Sequence, residues 1–345
     1  METRKLLELS VSEVPNLTVN TMFRNDGVFN YTFTNLERIT HCLTLYVQPT
    51  ICLLGVIGNV ISLIVFLSRK LRNVSCNVYL AALSVSNSAF MLALFVVWLE
   101  FVGIRLIHTD GWCQSVIYVA YVSSFLSVWL IVCITVENFI ITFYLHEAPR
   151  LCTVRRALVV VGGLTFFGLL LYDFALWSTK AKQFEDQIYC LVPKEYGTIV
   201  AIFTCIDVIL TLILPSLLIV ILLICIVVKS ISQPRQCVSS VPRVLTRKER
   251  ALLRVTRLLF VIIVSFMVLT SPTHVNKLRH LINMMTSVNS EASQEDKVIQ
   301  HLCQLIYYMS FSCNFIYFLL WGKNFRRVLY GWLKAMGRCC KKCFV

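Results

Sequence analysis

The polar residues of this chain are grouped between seven long apolar runs. Three runs, residues 42–68, 74–99 and 111–136, carry no charged side chain. Two more, 157–179 and 196–228, contain one aspartate each, and the last two, 258–276 and 298–322, contain one histidine each. Each run is long enough to cross a bilayer, which takes about 20 mostly apolar residues. Because a backbone in lipid must satisfy its own hydrogen bonds, the pattern predicts seven transmembrane helices.

Composition favours the same fold class. Of the 345 residues, 57% are hydrophobic and only 14% are charged, whereas soluble domains carry about 25% charged residues. We therefore expect an all-α membrane protein built as a seven-helix bundle over residues 42–322. Residues 1–41 form an N-terminal tail that lacks the apolar stretch of a cleaved signal peptide, so the first helix is expected to start insertion.

Lysine and arginine predict the orientation in the membrane. The segments after the first, third and fifth runs, together with the C-terminal tail, hold 21 of the 32 basic residues. The positive-inside rule then predicts a cytoplasmic C-terminus and an extracellular N-terminus, as in a multi-pass protein of the plasma membrane. The net charge of +14 is explained by this topology, and no nucleic-acid partner is expected.

The two tails carry expected sites of modification. Two sequons, at Asn16 and Asn30, fall in the outer tail and are candidates for glycosylation. At the other end, residues 323–336 form a basic amphipathic stretch, which is typical of a short helix lying in the membrane interface. Three cysteines follow it within the region 323–345 and are expected to carry palmitate: Cys339, Cys340 and Cys343.

Other cysteines fall at the predicted outer side. Cys113 and Cys190 both lie there, in an oxidising compartment where a disulfide can persist. Cys42 and Cys303 also lie near outer helix ends, either as a second bridge or as two buried thiols.

Short marks recur along the chain, one or more in most of the predicted helices. They are Gly58-Asn59-Val60, Asn77-Val78-Tyr79-Leu80, Trp112-Cys113, Pro215, Phe266, Pro272, Asn314 and Gly322-Lys323-Asn324-Phe325-Arg326-Arg327. In these marks the chain resembles a rhodopsin-like (class A) G protein-coupled receptor from about residue 44 to 336. Its sequence is most similar to those of invertebrate neuropeptide receptors, especially the FMRFamide-like branch.

The resemblance implies partners and site residues. It implies an extracellular peptide ligand, a heterotrimeric G protein, arrestin as a further partner, and no cofactor or metal. It implies a disulfide between Cys113 and Cys190. It also implies an activation core formed by Asn59, Asn87, Phe266, Pro272 and Asn314.

The chain departs from the family pattern at several positions, and two of these departures change polar residues with known roles in the family. Asn87 stands where the family usually has a sodium-binding aspartate. The motif that ends the third helix, usually Asp or Glu, then Arg, then Tyr, reads Glu137-Asn138-Phe139. Glu137 thereby loses its usual partner, and the nearest cations by topology are Arg254 and Arg257, which also face the G protein. Two interpretations stay open: a tolerated change in a receptor that couples through loop contacts, or weakened activation.

Polar residues in the outer helix ends are the candidate ligand contacts, because burying them in lipid is costly unless they are used. They are Glu100, Asp207, His274 and Lys277. A cationic face opposite an acidic one suits a peptide that carries both charge signs. The alternative is that Asp207 pairs with Lys277 or His274 inside the bundle and touches no ligand.

Other classes fit the chain less well. No zinc-protease, phosphate-loop or nucleophile-elbow motif is present, so an enzyme is not expected. A transporter would usually show internal repeats, and the halves of this chain show none. The remaining alternative is an atypical or weakly coupling receptor, acting as a decoy or as a chemosensory receptor.

Overall fold

The computed structural model describes residues 35–104, 106, 111–184, 187–232, 247–285 and 294–343. Eight long helices dominate these described residues. The first, α1, runs over Asn35–Cys42, a π-helical turn at Leu43–Val47 and Gln48–Phe66. The others are α2 (Ser75–Phe101), α3 (Trp112–Phe143), α4 (Val154–Leu171), α5 (Gly197–Asp207, a π-helical turn Val208–Ile213 and Leu214–Ser232), α6 (Arg247–Met285), α7 (Gln294–Ser312 and Asn314–Trp321) and α8 (Lys323–Cys343).

Most residues of each of the seven predicted apolar runs lie in helices, which confirms the fold class. Six helices are long and apolar enough to cross a membrane, and the two parts of α7 make a seventh span that bends by 47°. Serine hydroxyls before the bend donate to backbone carbonyls, from Ser310 to Tyr307 at 2.7 Å and from Ser312 to Met309 at 3.2 Å. Such bonds compete with the helical ladder and often bend helices.

Buried side chains form one large core toward the start of α2 and two smaller cores toward the start of α3. The large core joins α2, α3, α6 and the second part of α7, whereas the smaller cores lie beside Cys113 and Tyr172. Gly58 lets α1 approach α7, because a Cβ there would lie 2.8 Å from the Cβ of Phe315. By contrast, α4 turns side chains such as Val159 and Phe166 outward, which suits contact with lipid.

A β-hairpin precedes α5 and was not expected from the sequence. Strand β1 (Lys180–Phe184) pairs antiparallel with β2 (Gln187–Leu191), and Cys190 lies opposite Ala181 in the register. The fold is therefore an all-α bundle with one two-stranded hairpin in the described part of a loop.

The eighth helix is longer than the sequence suggested. It continues to Cys343, so Cys339, Cys340 and Cys343 belong to the helix and do not follow it. Its apolar face is also divided: Phe325 and Leu329 are buried in the large core, whereas Trp332 and Leu333 are exposed. The first half of α8 thus packs on the bundle through ring contacts of Phe325 with Phe66 and Phe318.

Candidate functional sites at the two ends of the bundle

A disulfide joins Cys113, at the start of α3, to Cys190 in β2, as the resemblance implied. The two Cα atoms lie 5.8 Å apart. This bond ties the hairpin to the bundle, and we call this end of the bundle the disulfide end. Cys42 and Cys303 are free thiols, so the second bridge left open by the sequence is not formed.

Near the disulfide end, Asp207 lies where α5 changes from an α-helix to a π-helical turn. The Tyr172 hydroxyl, at the end of α4, donates a hydrogen bond to its carboxylate. The indole N–H of Trp129 in α3 donates to the Leu210 carbonyl within the π-helical turn at 3.0 Å. Single π-helical turns are frequent at functional sites, because they re-aim side chains on an otherwise regular helix.

Besides Tyr172, which contacts Asp207 directly, two further tyrosines lie in this region. Tyr121 of α3 stacks on Tyr172 with ring centroids 5.3 Å apart. The Tyr307 hydroxyl of α7 lies 3.0 Å from the Ser124 hydroxyl and within electrostatic range of Asp207. A carboxylate beside aromatic rings is an environment that favours a bound cation. We call this group, Asp207 with Tyr121, Tyr172 and Tyr307, the acid–tyrosine cluster.

The other predicted ligand residues are spread over two helices. Glu100 is half-buried near the end of α2, and His274 is half-buried in α6. Lys277 also lies in α6, but its side chain falls outside the described residues. Their contact with a ligand, and a pair between Asp207 and either cation, remain predictions.

Midway along the bundle, a chain of neutral hydrogen bonds joins four helices. The Ser127 hydroxyl donates to Asn87 Oδ1 at 2.8 Å, and Asn87 Nδ2 donates to Asn59 Oδ1 at 3.4 Å. Asn59 Nδ2 in turn donates to the carbonyls of Gly55 and Phe311, at 2.8 and 2.9 Å. Both amide atoms of Asn87 thus make hydrogen bonds, although the chain lacks the aspartate that the family usually has at this position.

The remaining residues of the predicted activation core lie in α6 and α7. Phe266 and Asn314 are buried, and Pro272 is half-buried inside α6. Beside the proline, the Thr273 hydroxyl donates to the Cys303 carbonyl at 2.8 Å, which ties α6 to α7.

At the end of the bundle opposite the disulfide, the partner of Glu137 is a thiol. Cys76 Sγ, in the first turn of α2, donates to Glu137 Oε2 at 2.7 Å. Glu137 is 6% exposed and Cys76 is 0% exposed. The side chains of Arg254 and Arg257 lie outside the described residues, so their pairing with Glu137 stays a prediction. Sequence reasoning missed Cys76, although its place at the start of the second apolar run puts it at the level of Glu137.

Asn138 is 0% exposed, and neither its Oδ1 nor its Nδ2 has a hydrogen-bond partner among the described residues. Only its backbone carbonyl is engaged by a side chain, accepting from the Thr142 hydroxyl at 2.8 Å. A buried polar group without a partner costs about 1–3 kcal/mol. The described residues therefore leave the side chain that replaces the family arginine buried without a hydrogen bond.

Two further features describe the surroundings of Glu137 and Asn138. Leu259 and Ile262 of α6 are buried in the same core as Ile134 and Ile141 of α3, so α6 is packed against α3 at this end. Outside the helices, burial raises the pKa of the Cys152 thiol to about 12, with a further contribution from Glu137.

Comparisons with known proteins identify the family of this chain. The profile of the seven-transmembrane receptors of the rhodopsin family matches residues 58–317. Because this match covers most of the chain, the protein belongs to the rhodopsin family of seven-transmembrane receptors. It is accordingly a multi-pass membrane receptor and not an enzyme.

Individual relatives are distant. The chain is 24% identical to cysteinyl leukotriene receptor 2 of Sus scrofa over 54% of either chain, and 27% identical to the Homo sapiens protein over 46% of either chain. It is 23% identical to galanin-like G-protein coupled receptor npr-9 of Caenorhabditis elegans, over 43% of this chain and 34% of that one. The chain thus spans about half the length, or less, of the curated relatives it matches.

Proposed function

We propose that the protein is a plasma-membrane receptor that binds an extracellular peptide near the disulfide end and signals through a heterotrimeric G protein at the opposite end. The observation that carries the proposal is the acid–tyrosine cluster, in which Tyr172 donates a hydrogen bond to the Asp207 carboxylate and Tyr121 stacks on Tyr172. A basic side chain or the terminal amine of a peptide fits such a group.

The tethered hairpin supports a peptide in particular. Cys190 of β2 packs against the core that contains Tyr121 and Tyr172, so the hairpin lies close to the acid–tyrosine cluster. Within the described residues the two strands pair only with each other, so the outer edge of each strand has no strand partner there. An extended peptide can hydrogen-bond to such an edge while its side chains enter pockets.

Charge supports the orientation. The segments that join helices on the side of Asn138, with the tail, hold 21 of the 32 basic residues, which favours the cytoplasm for that end. Asn16 and Asn30 would then face outward and accept glycans. Both positions lie outside the described residues.

The experiment that tests the peptide proposal is a binding and signalling screen of the full chain in cells. A neuropeptide library is applied while calcium, cAMP and arrestin recruitment are recorded together. Asp207→Asn is expected to weaken a cationic peptide agonist at least tenfold, since charge-assisted hydrogen bonds contribute about 1.5–3 kcal/mol. Asp173→Asn is the matched control, because Asp173 is an exposed carboxylate just beyond α4. Equal loss of potency in both variants would argue against the acid–tyrosine cluster as the site.

The second candidate ligand is a cysteinyl leukotriene, because two of the relatives are named for it. The same cells are therefore also treated with cysteinyl leukotrienes. A response to these and to no peptide would replace the peptide proposal.

Two interpretations of Asn138 remain for coupling to a G protein: a tolerated change, or weakened activation. An atypical receptor, acting as a decoy or as a chemosensory receptor, would bind its ligand and give little nucleotide exchange. The orphan amide of Asn138 favours that reading, because the position offers no cation to a G protein.

A further inference from the structure

We propose that Cys76 is the resting-state partner of Glu137, and that its thiol holds this carboxyl group on α2 in place of the arginine that the chain lacks. The donor and acceptor atoms are 2.7 Å apart, and both side chains are buried. The contact itself rests on geometry alone. Its consequence for signalling rests on the proposed function.

Two donors of α2 lie near the Glu137 carboxyl group, the Cys76 thiol and the Ser75 hydroxyl, and among the described side chains the thiol is the one that makes a hydrogen bond to it. A buried carboxyl group is costly unless it is hydrogen-bonded. Asn138, the next residue, does not supply the bond, because neither atom of its amide has a partner among the residues that the structure describes. The thiol does, and it comes from a residue 61 positions earlier in the chain. The bond therefore connects α2 to α3 and is not a local contact within one helix.

The bond forms in an arrangement in which α6 is packed against α3. Leu259 and Ile263 of α6 share the core with Ile134 and Cys76. A rearrangement that moves the end of α3 relative to α2 must break the contact between Cys76 and Glu137. A hydrogen bond to a charged group shifts such a two-state equilibrium by roughly tenfold to a hundredfold. Loss of the Cys76 thiol should therefore favour the rearranged state, in which the end of α3 has moved relative to α2.

The contact is tested by a double-mutant cycle on the purified full chain. The variants are Cys76→Ala, Glu137→Gln and the pair of them, with the thermal unfolding midpoint as the readout. Cys52→Ala is the matched control, because Cys52 is also 0% exposed but lies in the core at the disulfide end. Cys76→Ala is expected to lower the midpoint more than Cys52→Ala, and to have a smaller effect once Glu137→Gln is present, because the amide oxygen is a weaker acceptor. Equal effects of Cys76→Ala in both backgrounds would overturn the proposal.

Infrared spectroscopy keeps the proposal testable should Cys76→Ala fail to fold. The S–H stretching band of Cys76 is expected to lie at low frequency in the unmodified protein and to move upward in Glu137→Gln, because an amide oxygen is a weaker acceptor than a carboxyl oxygen that carries charge. The same spectra of Cys52→Ala identify the band of the control thiol. An unchanged set of S–H bands in Glu137→Gln would overturn the proposal.

The signalling consequence is measured separately as ligand-free guanine nucleotide exchange. Cys76→Ala is expected to raise it about tenfold over Cys52→Ala, whereas Cys76→Ser, which keeps a donor, stays near the unmodified receptor. A receptor that responds to ligand but whose ligand-free exchange is unaffected by Cys76→Ala would overturn the resting-state role. If the cycle shows the contact and no receptor variant promotes exchange under any condition, the contact stands and G protein coupling is wrong.

Discussion

At the scale of single residues, Asn87 and Asn138 are two buried asparagines that differ in whether their amide groups are hydrogen-bonded. Asn87 is buried with both amide atoms engaged, by Ser127 and Asn59. Asn138 is buried with neither atom engaged among the described residues. An amide whose bonds are made is nearly neutral in free energy, whereas an orphan amide costs the desolvation of its polar atoms. The two positions therefore predict opposite responses to the same substitution.

We predict that Asn138→Leu raises the free energy of unfolding by about 1–3 kcal/mol, because it removes the orphan amide and keeps the volume. Asn87→Leu is the control and should lower the free energy of unfolding, because it leaves Ser127 and Asn59 with unmet hydrogen bonds. Thermal or denaturant unfolding of the purified variants measures both changes. A loss of stability in Asn138→Leu as large as that in Asn87→Leu would contradict this prediction.

At the scale of elements, the seven spans could be predicted from the sequence because lipid allows few backbone conformations. The apolar runs therefore fixed the number of helices and their class, although the helices extend beyond them. For example, α3 continues to Phe143, and α6 begins at Arg247. Polar residues interrupt the apolar run before each helix ends, Glu137 and Asn138 in α3 and several lysines and arginines at the start of α6, which is why composition alone places helix ends poorly.

Two features of the structure, a hairpin and a contact between helices, were not predicted from the sequence, for different physical reasons. The strands Lys180–Phe184 and Gln187–Leu191 are only five residues long, the first mostly polar and the second mostly apolar, so neither shows the alternation that predicts a half-buried strand. The contact of Cys76 with Glu137 depends on how the ends of α2 and α3 pack, which no spacing within either helix reveals. Conversely, the disulfide of Cys113 followed from a resemblance and was confirmed.

We predict that Cys113→Ser frees the hairpin from α3 and lowers the free energy of unfolding by about 2–4 kcal/mol. Unfolding of the purified protein measures the loss, and peptide mass spectrometry checks that Cys190 is then a free thiol. Cys42→Ser is the control, because Cys42 is a free, exposed cysteine near the same end and should leave stability unchanged. Retention of full stability in Cys113→Ser would show that packing alone holds the hairpin.

The eighth helix gives a second prediction at this scale. Because α8 reaches Cys343, the predicted acyl groups on Cys339, Cys340 and Cys343 would anchor the last turns of a continuous helix to the membrane. Replacing all three by Ser is expected to abolish metabolic labelling with palmitate and to leave the packed first half of α8 intact. Cys152→Ser is the control and should keep the label. Unchanged labelling of the triple variant would show that palmitate is attached elsewhere or is absent.

At the scale of the whole molecule, α3 connects the two candidate sites. From Cys113 to Asn138 it extends over roughly 38 Å, at about 1.5 Å per residue. Between them, Ser127 joins the hydrogen-bond chain of Asn87 and Asn59 that links four helices. A ligand at the acid–tyrosine cluster and a G protein near Asn138 can therefore influence each other through the position of one helix. Such coupling requires two arrangements with different contacts at both ends.

We predict that Asn138→Arg raises agonist-stimulated nucleotide exchange. The new cation can pair with Glu137, which stabilises the resting receptor by about 0–1 kcal/mol if the site is hydrated. It can also donate a charge-assisted hydrogen bond to a bound G protein, which contributes about 1.5–3 kcal/mol and exists only in the complex. The second effect is larger, so stimulated exchange should rise while ligand-free exchange changes little.

Asn138→Lys is a useful comparison for this prediction, because it adds the same charge without a guanidinium fork that can bind two oxygens at once. Arginine should restore more stimulated exchange than lysine if the contact with the G protein is bidentate. Before an agonist is identified, ligand-free exchange with a panel of chimeric G proteins serves as the first measurement. A strong response of the unmodified receptor that Asn138→Arg leaves unaltered would falsify impaired coupling, and loop contacts would then carry the signal.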